Sequence, residues 1–300
     1  MSASNKPLVS VVLPAYYSQA TIAVTLDSLR RQTFRDFEAI VVNSSPEQET
    51  ARLIETHYPG VRFFQSPTRL YPHAARNLGA EHALGELLVF SDPDVEMHED
   101  WLDLLVGAWK GGHEAGGGAM GLRRRTWWEC AVHLTKFHEL LPGLDDGERW
   151  IVPTASAFYS RRIWERVGPF PPDGFSGDAV MSWMAARGGC RPRFVAGAVV
   201  EHIHGGNLKQ LLSERLVRGR EFIEARAKFE RWSRLRVILY LLATPALPLV
   251  VLARTGHWAG RAGWLGPYVM TLPAQAAAHW AWSAGEARGA WGVVWGKPEP

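Results

Sequence analysis

Residues 87–97 read LLVFSDPDVEM. An apolar run, Leu87-Leu88-Val89-Phe90, drops directly into two carboxylates, Asp92 and Asp94, separated only by Pro93. Like charges this close repel, and a fold tolerates them best when a cation sits between them. Two carboxylates at this spacing offer the oxygen ligands that Mg²⁺ and Mn²⁺ prefer. The competing reading is a solvated acidic turn, because Asp and Pro are both common turn formers. The elements around the run decide between them.

Those elements alternate. Residues 9–13 (VSVVL) form a β-branched strand stopped by Pro14, and 20–32 carry Ile22, Leu26 and Leu29 at helical spacing, with Arg30 and Arg31 in the last turn. Strands follow at 37–42, 61–64 and 87–90, and helices at 49–57, 74–84 and 99–109. Four strand–helix alternations in succession predict an α/β fold with a parallel sheet covered on both faces. Ligands of such sheets bind just beyond the carboxyl ends of the strands. Asp92 and Asp94 fall there, as do Pro14-Ala15-Tyr16 and Asn43-Ser44-Ser45, so three strand ends face one crevice and the metal reading gains on the acidic turn. Further on, Gly111-Gly112 and Gly116-Gly117-Gly118 read as a flexible join, and 127–141 as a helix. Residues 151–204 read as a second mixed block around GPFPPDGFSGD, and 207–236 as a basic amphipathic helix.

Composition narrows the class. A net charge of +3 over 300 residues gives no reason to expect nucleic acid. Two cysteines, Cys130 and Cys190, make neither a zinc spacing nor a disulfide framework and fit a reducing compartment. The opening MSASNKPLVSVVLP has too short an apolar run to read as a signal peptide. Of 14 tryptophans, Trp258, Trp264, Trp280, Trp282, Trp291 and Trp295 gather near the C-terminus. Tryptophan is enriched at membrane interfaces.

Taken in order, VSVVLPAYYSQATIAVTLDSLRRQTFRDFEAIVVNSS, AARNLGAEHALGELLVFSDPDVEM, GFSGDAVMSWMAARGG and VVEHIHG resemble a family 2 glycosyltransferase of the GT-A fold, over roughly residues 8–205. The resemblance implies the GT-A nucleotide-diphospho-sugar transferase fold, a mostly parallel sheet flanked by helices. It implies a nucleotide-diphosphate sugar donor, with Pro14, Ala15 and Tyr16 near the nucleoside and Arg76, in Ala-Arg-Asn-x-Gly, near the diphosphate. At the second strand end the family usually carries a base-contacting Asp; here Asn43 stands there, uncharged but able to donate and accept hydrogen bonds. Asp92-Pro93-Asp94 matches the family's DXD motif, which in most members helps hold Mg²⁺ or Mn²⁺. The family's later Glu-Asp pair, whose Asp is the base of inverting members, reads Gly177-Asp178 here. A histidine often completes the metal site, and His202 matches best, with His204 second.

The implied chemistry is coherent. A divalent cation stabilises the negative charge that grows on a departing diphosphate. A carboxylate within reach of the acceptor hydroxyl takes its proton, worth about 10²–10⁴-fold. Asp178 has that role, and a single displacement inverts the anomeric centre. Bland readings stand beside these: Asp178 as a helix N-cap, His202 and His204 as a same-face pair on an edge strand, Arg76 as a solvated helix residue. Arg123-Arg124-Arg125 reads as a solvated loop or a phosphate-attracting patch, and Trp127-Trp128 as core or a sugar platform.

The tail divides into 207–236, a basic connector, and 237–300, an apolar membrane-associated segment, after a transferase domain over 1–206. Residues 237–253 are uncharged and span about 25 Å as a helix, slightly short of a ~30 Å hydrocarbon core. A second uncharged run covers 262–285, so the two form either a membrane hairpin or an interfacial pair. The soluble alternative is a helical subdomain packed on the catalytic core. The basic residues before the first run favour a catalytic domain on the cytoplasmic face, and bacterial members of the family end in a similar apolar segment with a Gly-Glu-Ala run, here 285–287. The expected acceptor is a glycan or lipid-linked hydroxyl, at a membrane surface. Two rivals remain: a non-catalytic binding or scaffold subunit of a membrane glycan-assembly system, favoured by Asn43 and Gly177, and a nucleotidyltransferase. The second, like a dinucleotide-binding dehydrogenase, lacks the Gly-rich loop it needs after the first strand.

Overall fold

The computed structural model describes residues 6–296. The chain up to Arg123 together with Asp145–Ile203 makes one compact unit; Arg124–Leu144 with the chain from His204 onward makes a second.

In the first unit the expected alternation is present. Strands β1 (Val9–Ala15), β2 (Phe37–Asn43), β3 (Arg62–Gln65) and β4 (Leu87–Ser91) pair in parallel in the order β3-β2-β1-β4. Helices α1 (Ile22–Arg30), α2 (Glu49–His57) and α3 (Pro72–His82) connect them. Every residue of β1 and β4 is buried, which is why both read as unbroken apolar runs. After β4 come β5 (Val95–Met97), α4 (Trp101–Lys110) and β6 (Ala115–Leu122). α5 (Trp127–Phe137) belongs to the second unit. β7 (Gly147–Glu148), β8 (Ser156–Ser160), α6 (Arg161–Val167), α7 (Gly177–Arg187) and β9 (Arg193–His202) complete the first.

This half of the sheet is mixed. The order continues β4-β8-β6-β9-β5, with β7 also on β9. β8 is antiparallel to both β4 and β6, β5 is antiparallel to β9, and β6 runs parallel to β9. The glycine run expected to be a flexible join is instead the buried strand β6. Glycine is required there by close approach: a Cβ at Gly116 would lie 2.3 Å from the Arg193 carbonyl oxygen, and one at Gly118 2.0 Å from that of Ala198.

β5 ends this side of the sheet, and α1 closes its free edge. The Thr25 hydroxyl donates to the Val95 carbonyl (2.7 Å) and accepts from the Val95 N–H (3.3 Å). Ser28 Oγ accepts from the Met97 N–H (3.1 Å), and Gln32 donates to the His98 carbonyl (2.7 Å). Thr25, Ser28 and Gln32 are fully buried. Thr25 and Ser28 share one face of α1 and Gln32 follows just past its end, so that together they stand in for a neighbouring strand.

The second unit is helical: α5, α8 (Leu208–Phe229), α9 (Arg234–Ala243), a 3₁₀ turn at Thr244–Ala246, α10 (Leu247–Arg261) and α11 (Leu265–Trp295). Side chains set the starts. Thr126 caps α5 by accepting from the Glu129 N–H, Asn207 and Gln210 form a reciprocal capping box on α8, and Ser233 caps α9. The basic helical stretch expected over 207–236 is made by α8 and the start of α9, with a break after Phe229. The awkward prolines find compatible places: Pro245 in the 3₁₀ turn and Pro248 in the first turn of α10.

Glycines let α8 and α11 approach backbone to backbone. A Cβ at Gly285 would stand 2.1 Å from the Leu216 carbonyl oxygen, and one at Gly219 2.3 Å from that of Trp282. Along α11 the polar residues Thr271, Gln275, His279, Ser283 and Glu286 are buried. Val269, Met270, Trp280, Trp291 and Trp295 are exposed. Among the described residues one stretch, Arg234–Arg261, is long and apolar enough to cross a membrane, judged by length and composition alone.

Candidate functional site

Because β2, β1 and β4 run in parallel, their carboxyl ends lie along one edge of the sheet. β4 delivers Asp92 to that edge. The chain then turns through Pro93 and Asp94 into β5, and antiparallel pairing sets Val95 opposite His202 at the end of β9. The turn is tied again by the Ile203 N–H, which donates to the Asp94 carbonyl (3.0 Å). Two remote parts of the sequence thus meet. Ligand atoms of Asp92, Asp94 and His202 all lie within 4.8 Å of one another, each side chain partly buried.

The donor set suits a divalent cation. His202 Nδ1 lies 3.2 Å from the Ile203 carbonyl oxygen, a contact that holds the proton on Nδ1 and leaves Nε2 as the ligand nitrogen. Nε2 is 3.8 Å from Asp94 Oδ1. Two carboxylate oxygens and one imidazole nitrogen match Mn²⁺ well, and Mg²⁺ with more retained water.

Arg76 lies against this cluster. It is 3% exposed, so it is not the solvated helix residue of the bland reading. One terminal nitrogen donates to Asp92 Oδ1, the other lies 3.4 Å from His73 Nδ1, and Nε has no partner among the described residues. The next residue, Asn77, clamps the Phe170 backbone by donating to its carbonyl (2.8 Å) and accepting from its N–H (3.0 Å). The Arg-Asn pair therefore has two jobs: one residue faces the acids, the other ties α3 to the loop before α7.

At the first strand end Pro14 and Ala15 are buried and Tyr16 is 40% exposed. The Arg69 guanidinium stacks over the Tyr16 ring at 4.7 Å. Asn43 is fully buried at the end of β2. Its amide nitrogen donates to Gln65 Oε1 (2.9 Å) and its oxygen accepts from the Ser45 hydroxyl (2.7 Å), so both ends of the side chain fasten this strand end. Asp178 lies in the first turn of α7, where Ser176 occupies the cap position, so it is not the N-cap. Its carboxylate accepts from the Ala179 N–H (2.8 Å). Burial, with the Asp178 charge nearby, pushes the Tyr159 phenol above its usual range.

His204 parts from His202. β9 ends at His202, and His204 lies in the second unit, 3.0 Å from His133 and stacked on Phe137. The strand spacing expected to put both histidines on one face stops one residue short. Arg123 pairs with Glu96 (3.3 Å) and Arg125 stacks on Trp264 (4.3 Å), and both remain exposed as a solvated loop would be. Trp127 donates to the Met270 carbonyl (2.8 Å) and is 47% exposed. His73 carried no signal in the sequence.

Comparison with known proteins bears on the family and the fold. The profile described as glycosyl transferase family 2 matches residues 10–168. The glycosyltransferase AglE of Haloferax volcanii is 28% identical over 59% of this chain and 60% of its own length. The amylovoran biosynthesis glycosyltransferase AmsB of Erwinia amylovora is 37% identical over 31% of this chain and 33% of its own. The chain thus spans about 60% of AglE and a third of AmsB, less than two thirds of either. Among solved structures, the mannosyltransferase PcManGT of Pyrobaculum calidifontis, in complex with GDP-Man and Mn²⁺, superimposes with a TM-score of 0.61. That match has 21% identity and covers 90% of this chain and 86% of that one. S. aureus TarS matches with a TM-score of 0.52 at 17% identity, over 89% of this chain and 54% of its own. At these identities the structural matches speak for the fold: a mixed α/β sheet of the GT-A kind. With the profile covering more than half of the sequence, the chain belongs to glycosyl transferase family 2.

Proposed function

We propose that the protein transfers a sugar from a nucleotide-diphosphate donor to a hydroxyl of a glycan or lipid-linked acceptor, with inversion, in a metal-dependent reaction. The observation that carries this reading is the Asp92-Asp94-His202 cluster at the carboxyl edge of the sheet, with buried Arg76 beside it. A divalent cation held by these three residues supplies Lewis-acid stabilisation of the departing diphosphate. Arg76 adds a fixed positive charge that needs no reorganisation as negative charge grows. Tyr16, exposed and backed by Arg69, offers a ring face to the nucleoside, and Asn43 keeps the neighbouring strand end rigid. Asp178 is the base that takes the acceptor proton. PcManGT, with its GDP-Man and Mn²⁺, lends support to a nucleotide-sugar donor.

The helical unit supports membrane association. Arg234–Arg261 is long and apolar, α11 exposes tryptophans, and Arg231, Arg234 and Arg236 precede the apolar stretch, which favours the cytoplasmic face.

The test is calorimetric titration of the purified chain with uridine, guanosine, cytidine, adenosine and thymidine diphosphates, first with Mn²⁺ and then with chelator. One nucleotide is expected to bind only with the metal, and Asp178→Asn is expected to keep that binding while losing transfer. Folded protein that binds none of the five moves the assignment to a non-catalytic scaffold.

A further inference from the structure

Resting on that donor-site reading, we infer that His73 is a positioning residue: it fills the space left by the missing side chain at Gly177 and steadies Arg76 against Asp92. The family's acid before the base is absent, and the space it would enter is occupied. A Cβ at Gly177 would meet His73 Cδ2 at 2.5 Å, Cγ at 2.6 Å and Nε2 at 2.9 Å. Real Cβ atoms essentially never come so close, so residue 177 carries no side chain while this ring stays in place.

The ring is wedged from two directions. His73 is 4% exposed, and its other side packs on Phe170, with ring centroids 5.2 Å apart. Phe170 is itself clamped by Asn77, four residues further along α3. His73 Nδ1 is 3.4 Å from an Arg76 terminal nitrogen, and the other terminal nitrogen holds Asp92. One imidazole thus touches both the first turn of α7, which carries Asp178, and the arginine that holds a metal-site carboxylate.

The experiment compares H73N, H73F, H73A, G177A and H73A/G177A by thermal unfolding and by Mn²⁺-dependent binding of the diphosphate panel above. Asn sets an amide oxygen near the place of Nδ1, so H73N is expected to bind nucleotide within about threefold of wild type. Phe keeps the ring without an acceptor, so H73F is expected to bind about tenfold more weakly, the scale of one hydrogen bond to a charged group. G177A should lower both binding and the unfolding temperature in the wild-type background. It should cost little in the H73A background, where Cγ and the ring atoms beyond it are gone. H73F matching wild type, or equal losses from G177A in both backgrounds, would overturn the inference. If wild type binds no nucleotide, the functional reading falls, and the inference is decided by unfolding alone: additive losses sink it, suppression of the G177A loss supports it.

Discussion

Replacing Thr25 with Val tests whether α1 stands in for a strand beside β5. Val has nearly the shape of Thr, so the substitution leaves no cavity. It removes the bond to the Val95 carbonyl at 2.7 Å and the longer one from the Val95 N–H at 3.3 Å. Thr25 is fully buried, so water cannot reach the two stranded groups. A buried group left without its partner costs about 1–3 kcal/mol, and the longer bond belongs at the low end. The sum is about 3 kcal/mol, or about 150-fold in the local opening equilibrium. Hydrogen exchange at the Val95 amide reads this directly. Thr25→Ser is the control: it keeps both bonds and loses one methyl, about 0.8 kcal/mol. Val95 exchange within threefold of wild type in Thr25→Val would refute the reasoning. So would equal acceleration by the two variants, since that would implicate packing. Asp94 immediately precedes Val95, so Thr25→Val is also expected to weaken Mn²⁺-dependent nucleotide binding although it touches no ligand.

Three further predictions follow from the same geometry. Asp94→Asn is expected to abolish metal-dependent nucleotide binding, and tight Mn²⁺-dependent binding by that variant in calorimetry would remove Asp94 from the metal site. Gly118→Ala sets a methyl 2.0 Å from a backbone oxygen and should cost at least about 3 kcal/mol in chemical denaturation. Gly60→Ala, where nothing lies within 4 Å, should cost nearly nothing. Burial, reinforced by nearby arginine charge, holds His138 down at about 3. As pH is lowered through the ordinary imidazole range, the unfolded chain takes up a proton there while the folded chain does not, so stability falls. The loss is about 2 kcal/mol from pH 7 to 5, and His138→Phe should flatten that slope in denaturation followed by circular dichroism.

The first half of the fold was legible because β1, β2 and β4 are buried on both faces and appear as apolar runs. Asp92 and Asp94 stood out for a related reason: nothing in a buried strand explains two acids at its end. The rest was hidden where a residue's meaning lies in a partner far away in sequence. Gly116-Gly117-Gly118 looks like a linker until the carbonyls of Arg193, Ser156 and Ala198 are seen against it. Thr25, Ser28 and Gln32 pass unnoticed when only the apolar period of α1 is counted. The spacing of His202 and His204 suggests a same-face strand pair, but β9 ends at His202, and nothing local encodes that end. His73 lies in no motif and gains its interest only through the empty position at Gly177.

α11 buries Thr271, Gln275, His279, Ser283 and Glu286 among alanines and glycines, while Val269, Met270, Trp280 and Trp291 are exposed. That distribution would suit the solvent rules of hydrocarbon, where apolar groups need no cover and polar groups must find partners within the protein. Gly219 and Gly285, with backbone contacts that leave no space for a methyl, obey the same rules, because small residues bring helices together where the hydrophobic effect does not. If the membrane association proposed above holds, the choice of detergent or lipid becomes a determinant of this unit's native state, and stability in plain buffer is expected to be lower than in lipid.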